Sequence, residues 1–284
     1  MTPRRIGFRA RDGLALSALD HPGPMRLPEG RTPILCLSGL TRSAQDFAPL
    51  AARHAATRRV VALDHAGHGE SARPDDIARY AIQNSLADVL DAMAALHCPR
   101  AVIVGTSFGG ILAMVLAVLR PSAIAGVVLN DIGPEIEDLG FDFVQDFVGR
   151  DPALGSLEET VAHLRATLPP LTLDEEGWRH FAAITFAEGD DGRWHPRWDI
   201  RIAQALRGSG AAPKLWGPFG ALAHAPLLLV RGALSDLLSP ATVARMQALR
   251  PDMTVVEVPG CGHCPTLAEP EVAAALDRFL GGIA

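Results

Sequence analysis

Ser107 stands in Gly105-Thr106-Ser107-Phe108-Gly109-Gly110. Glycine two residues to either side lets a serine sit at the apex of a sharp strand-to-helix turn, where a Cβ on either neighbour would collide with backbone. The hydroxyl is then raised above the end of a strand, and the N–H of Phe108 faces the position where an oxyanion would form. A serine is a weak nucleophile until a base takes its proton, and an imidazole base needs an acid to fix its tautomer and stabilise its cation. The chemistry to look for is acyl transfer through a covalent ester.

The chain has ten histidines. Most fall at the ends of predicted elements or in the middle third of the chain. His263 lies in Pro259-Gly260-Cys261-Gly262-His263, a loop directly after the last predicted strand, where a ring can be carried over the carboxyl edge of a sheet. Two aspartates end earlier strands. Asp236 follows Leu227 to Val230 through a loop long enough to reach His263, and it precedes an intact strand-helix unit. Asp131 follows Leu129-Asn130 and opens the middle third. Both keep the order serine, acid, histidine, and Asp236 is the preferred acid. A second oxyanion donor is expected from the loop after an earlier strand, and Ser38-Gly39-Leu40-Thr41-Arg42 makes the N–H of Leu40 the candidate.

The elements that must position these groups follow from apolar patterning. Asp12-Gly13, between two alternating runs from Ile6 to Leu19, predicts a hairpin with a two-residue turn. Uniformly apolar runs at Ile34 to Leu37, Val60 to Leu63, Ala101 to Val104 and Ala125 to Leu129 read as strands covered on both faces. Helical segments at 43–54, at 82–96 and after Ser107 lie between them. This alternation predicts a mostly parallel, doubly wound α/β sheet. After Pro134 the rhythm breaks into helices without a convincing strand, and it resumes at Pro226 to Val230. The expected division is a core of residues 1–133 and 214–284 with an inserted helical lid at 134–213.

At this point a resemblance is clear. The chain resembles the α/β-hydrolase-fold proteins, in particular the lidded group of esterases, lactonases, carbon-carbon bond hydrolases and cofactor-free haloperoxidases. The motifs that carry it are Gly105 to Gly110, Asp64-His65-Ala66-Gly67-His68-Gly69-Glu70-Ser71 and Gly262-His263. The second is similar to the family's D-x-R-G-H-G-x-S segment, with Ala66 in place of the usual arginine. Ser107 stands where the epoxide- and halide-processing members place aspartate, and Cys264 where ring-cleavage hydrolases commonly place tryptophan. The resemblance therefore implies a serine hydrolase acting on esters or lactones. Acyl transfer to another acceptor, carbon-carbon bond hydrolysis and ligand binding without catalysis are the alternatives.

Composition sets the remaining expectations. A net charge of −6 and 48% hydrophobic residues give no electrostatic footprint for nucleic acid. Four cysteines are too few for a disulfide framework, and Met1 to Arg5 lead into no apolar signal core, so a cytoplasmic location is expected. Ala101 to Leu119 matches a membrane span in length, yet its glycines and Thr-Ser pair favour a buried strand and helix. Cys261 and Cys264 bracket His263 without a second pair, so they read as packed thiols. No metal and no organic cofactor is expected, and the predicted partner is a small molecule. Arg42, Trp194 and Trp198 are the candidate pocket residues, the arginine for a substrate carboxylate. Nothing in the sequence sets the oligomeric state.

Overall fold

The computed structural model describes residues 2–23, 31–208 and 214–284. An amino-terminal hairpin, β1 (Arg4–Arg9) and β2 (Ala15–His21), leads into β3 (Ile34–Leu37), α1 (Ala48–His54) and β4 (Val60–Asp64). Then follow α2 (Ile82–Ala95), β5 (Ala101–Thr106), α3 (Phe108–Leu119) and β6 (Ile124–Asn130). These strands join β9 (Leu227–Gly232) and β10 (Thr254–Val258) in one eight-stranded sheet of order β1-β2-β4-β3-β5-β6-β9-β10. Pairing is antiparallel at β1/β2 and β2/β4 and parallel from there on.

The apolar runs work by parity. Successive side chains of a strand point to opposite faces, so Leu35, Leu37, Leu63 and Ile103 join a cluster with α2 and α3, whereas Ile34, Cys36, Val102 and Val104 join one with α1 and the carboxy-terminal helix. Each strand from β3 to β6 is buried along its whole length. Ala101 to Leu119 divides into β5 and α3 as expected, and no helix among the described residues is long and apolar enough to cross a membrane.

The hairpin departs from expectation. Residues 10–14 separate β1 from β2, a loop longer than two residues. A two-residue type I′ turn needs positive φ at both central positions, and here only Gly13 (φ +89°) supplies it. The Asp12 side chain instead accepts from Leu14 N, and its carboxylate pairs with Arg79.

Between β6 and the next core strand run α4 (Asp138–Val148), α5 (Leu157–Thr167), α6 (Glu175–Thr185), β7 (Phe186–Glu188), β8 (Trp194–Pro196) and α7 (Ile202–Gly208). The antiparallel β7–β8 hairpin was not expected, because three-residue strands are too short to show alternation. This insertion has its own apolar cluster, centred on Phe147, Leu164, Trp178, Phe186 and Trp198. The expected lid boundary at residue 213 lies outside the described residues. The chain returns through α8 (Trp216–Gly220), β9 (Leu227–Gly232), α9 (Pro240–Leu249), β10 (Thr254–Val258) and α10 (Pro270–Gly281). Parallel pairing brings the loops after β3, β5, β6, β9 and β10 to one carboxyl edge of the sheet.

Candidate active site

Ser107 occupies the turn between β5 and α3 with φ 49° and ψ −112°. A non-glycine residue held there stores about 1–3 kcal/mol of backbone strain, and the surrounding glycines make the turn possible. A Cβ on Gly105 would stand 2.6 Å from Gly109 O, and one on Gly109 2.0 Å from Leu37 O. Gly109→Ala is therefore expected to cost about 3 kcal/mol or more, read as a lowered urea midpoint with an unchanged slope.

His263 follows β10 as the sequence suggested, but its carboxylate partner does not match the expectation. His263 Nδ1 lies 2.7 Å from Asp131 Oδ2, and the Asp131 side chain is fully buried. Asp131 turns the chain out of β6 at φ 53°, a left-handed conformation that aspartate tolerates better than most residues. Gly232 N donates to its Oδ1 at 2.8 Å and Ser235 Oγ to its Oδ2 at 2.6 Å. The loop after β9 thus reaches Asp131 and, through Leu234 N–H to Cys261 O, the histidine loop, but it brings hydrogen-bond donors and not the carboxylate that His263 meets. Ser235 Oγ also accepts from Leu238 N, and the turn so formed sends Asp236 outward. Asp236 is exposed, lines the same cavity as Ser107, and its carboxylate makes no hydrogen bond among the described residues.

Ser107 and His263 line the same cavity, of about 300 Å³. With Nδ1 bonded to a carboxylate, the favoured tautomer carries its proton there and leaves Nε2 as the basic nitrogen. No Ser107–His263 hydrogen bond is formed among the described residues. Such contacts commonly tighten only when substrate is bound. Asn130, which belongs to no motif in the sequence, ties the parts together. Its backbone O accepts from Ser107 N, and its side-chain Nδ2 donates to Pro265 O at 2.9 Å, so the end of β6 holds both the serine turn and the histidine loop. Ser235 was missed too. The signals for both were adjacency alone: an asparagine preceding one candidate acid and a serine preceding the other.

The Leu40 loop is fixed from below by two buried histidines of the 64–71 segment. His65 Nε2 lies 3.3 Å from Ser38 O and His68 Nε2 2.6 Å from Leu40 O, so the peptides on either side of the one carrying Leu40 N–H are both tied down. Burial pushes the His65 ring down to about 3, and it lowers His68 as well. Asp64 completes this base by accepting from Ala44 N and from Arg5. Neither Leu40 N–H nor Phe108 N–H has an acceptor among the described residues, so both remain available to a developing oxyanion.

The pocket expectations divide. Arg42 lines the cavity, but its Nε and Nη2 form a bidentate pair with Asp46 at 2.6 Å each, Nη1 bonds Thr185, and its guanidinium lies 3.9 Å from the Phe181 ring centroid. Its charge is already balanced, so it serves to fasten α6 to the Leu40 loop. Trp194 and Trp198 do not line this cavity. Trp198 is buried within the insertion, with Nε1 donating to Val148 O, and Trp194 sits in β8 and pairs with Leu154. An aromatic-rich segment packs its own cluster before it faces a ligand. The wall is formed instead by Gly177, His180, Phe181 and Ile184, one face of α6, with Phe143 and Phe147 of α4. Cys264 also lines the cavity, its thiol pushed up by burial.

Comparison with known proteins fits this geometry. A sequence profile of the alpha/beta hydrolase family matches residues 34–276. The chain belongs to the alpha/beta hydrolase family. A solved alpha/beta hydrolase from Novosphingobium aromaticivorans superposes on this hydrolase with a TM-score of 0.92 at 36% identity, covering 98% of both chains. A 3-hydroxybutyrate-oligomer hydrolase from Cupriavidus necator is 32% identical over 259 residues, 88% of each chain. A 2-(acetamidomethylene)succinate hydrolase from Mesorhizobium japonicum is 29% identical over 251 residues, 87% of each.

Proposed function

We propose that this hydrolase cleaves a small to medium, largely apolar carboxylic ester or lactone through an acyl-enzyme on Ser107. The observation that carries the reading is that His263, hydrogen-bonded to buried Asp131, lines one cavity with Ser107 on its strained turn. Ser107 Oγ attacks the carbonyl carbon while its proton passes to His263 Nε2, and buried Asp131 stabilises the imidazolium. The oxyanion accepts hydrogen bonds from Phe108 N–H and Leu40 N–H. As the tetrahedral species collapses, the alcohol leaves with the proton from His263. Water then enters, gives a proton to His263 and attacks the acyl carbon, and Ser107 recovers its proton as the acid departs. None of these steps calls for a metal or organic cofactor. The insertion acts as the lid, and its α4 and α6 faces choose the substrate.

A cavity of about 300 Å³ lies at the small end of ligand sites, which run to ~1,000 Å³. The 3-hydroxybutyrate-oligomer hydrolase supports an ester substrate, since hydroxyacid oligomers are joined by ester bonds. The test is a panel of p-nitrophenyl esters, lactones and thioesters, with and without alcohol acceptors, alongside fluorophosphonate labelling mapped by mass spectrometry. Turnover with label on Ser107 is expected. A folded protein giving neither turnover nor label would overturn the proposal, and acyl products formed faster than free acid would make it an acyltransferase. Ser235→Ala removes one donor to a charged acid, and kcat on p-nitrophenyl butyrate is expected to fall about tenfold with KM unchanged.

A further inference from the structure

A second chamber of about 160 Å³ lies within the insertion, lined in part by Asp146, Arg150, His163, Thr167 and Trp198. Phe143 and Phe147 line both this chamber and the Ser107 cavity. They sit four residues apart, hence on one face of α4, with rings 6.0 Å apart and nearly parallel at 17°. The two rings are therefore a partition between two spaces. The inner space is walled mainly by apolar side chains. Both walls hold carboxylate, guanidinium, imidazole and hydroxyl groups, but in the smaller outer chamber Asp146, Arg150, His163 and Thr167 make up a larger share of the lining. Asp146 and Arg150 are largely exposed and lie 3.4 Å apart, and Asp146 lies equally far from Arg207, a loose surface cluster whose charges can exchange partners. Burial lowers the His163 ring from its ordinary range and so favours its neutral form, which can donate or accept.

We propose that Phe143 and Phe147 form a gate, and that the outer chamber is a subsite for the far end of an extended ester. The occupant is a linear ester arm that fills the apolar cavity and ends in a hydroxyl or carboxylate, the chemistry of a hydroxyacyl oligomer. The inference rests on the ester-hydrolase reading above and deepens it. Esters short enough for the inner cavity leave the gate shut. Longer ones displace the rings and place their polar ends among His163, Thr167 and Arg150.

The gate is tested with Phe143→Ala, whose ring is half-buried, with Phe147→Ala, and with His163→Trp, which fills the outer chamber. Substrates are p-nitrophenyl butyrate and decanoate and the linear dimer, trimer and tetramer of 3-hydroxybutyrate. Opening the gate is expected to raise kcat/KM for decanoate relative to butyrate about tenfold, and filling the chamber to lower trimer and tetramer turnover about tenfold with butyrate unchanged. If only decanoate responds to the variants, the outer chamber takes apolar chains and the polar-end assignment is wrong. Ratios that stay within about twofold in all variants, with Ser107 still labelled by fluorophosphonate, would overturn the gate alone. Loss of labelling and of butyrate turnover in wild type would overturn the ester-hydrolase reading, and the gate with it. Phe147 also packs on Trp198 at 5.7 Å. Should Phe147→Ala unfold, Phe143→Ala and His163→Trp still decide the matter.

Discussion

Asp131→Asn will lower kcat for ester hydrolysis by about 10⁴-fold, while Asp236→Asn stays within about twofold of wild type. The reason is the single contact that orients the imidazole. An asparagine amide opposite His263 Nδ1 either presents an N–H, which puts the lone pair on Nδ1 and the proton on Nε2, or presents an oxygen without the charge that steadies the imidazolium. In both cases Nε2 stops being an effective base. Asp236 has no such contact, because its carboxylate is exposed and unbonded among the described residues. Steady-state kinetics on p-nitrophenyl butyrate, with far-ultraviolet circular dichroism to establish folding, make the comparison. The reverse ranking of the two variants would return the acid to the loop after β9.

Ser107→Ala will remove turnover almost entirely, by about 10⁶-fold in kcat. It will also abolish fluorophosphonate labelling. Alanine tolerates φ 49°, ψ −112° no better and no worse than serine does, so the turn keeps its strain and the protein its fold. Substrate affinity should survive, because the cavity walls on α4 and α6 are untouched. Binding of a non-hydrolysable amide analogue by the variant, measured calorimetrically, separates lost chemistry from a lost pocket. A variant that retained more than about a hundredth of wild-type turnover would place the nucleophile elsewhere.

What could be read from the sequence depended on how local its cause was. The central strands were legible because burial on both faces demands continuous apolar runs, as in Ile34 to Leu37 and Ala101 to Val104. The serine turn was legible because Gly105 answers to a clash with Gly109 inside the motif itself, although Gly109 also makes room for Leu37 on β3. The acid was not. Asp131 and Asp236 both end strands at the same edge, and the choice depends on where Gly232 N–H and Ser235 Oγ point, 101 and 104 residues along the chain from Asp131. The tryptophans failed for a related reason. Composition says that Trp194 and Trp198 belong to the insertion, but only packing decides that Trp198 turns inward to Phe147 and Phe186. Arg42 was found in the right place with the wrong task, because its partner Asp46 lies one helical turn away, where it is as easily read as a surface charge.

The insertion touches the core at each moving part of the proposed reaction. Gly262 N donates to Pro170 O beside the histidine, and Arg42 bonds Thr185 beside the Leu40 loop. Gly69 N and Asp199 N–H bonds join residues 67–69, which include His68, to residues 197–199. A cover fastened in this way is not an interchangeable part. Transplanting 134–213 from a relative would bring a new substrate wall but sever the supports of the histidine and oxyanion loops. A chimaera that keeps its rate must carry residues 38–42, 66–69 and 261–264 from the same donor. For this chain, selectivity and reactivity are inherited together.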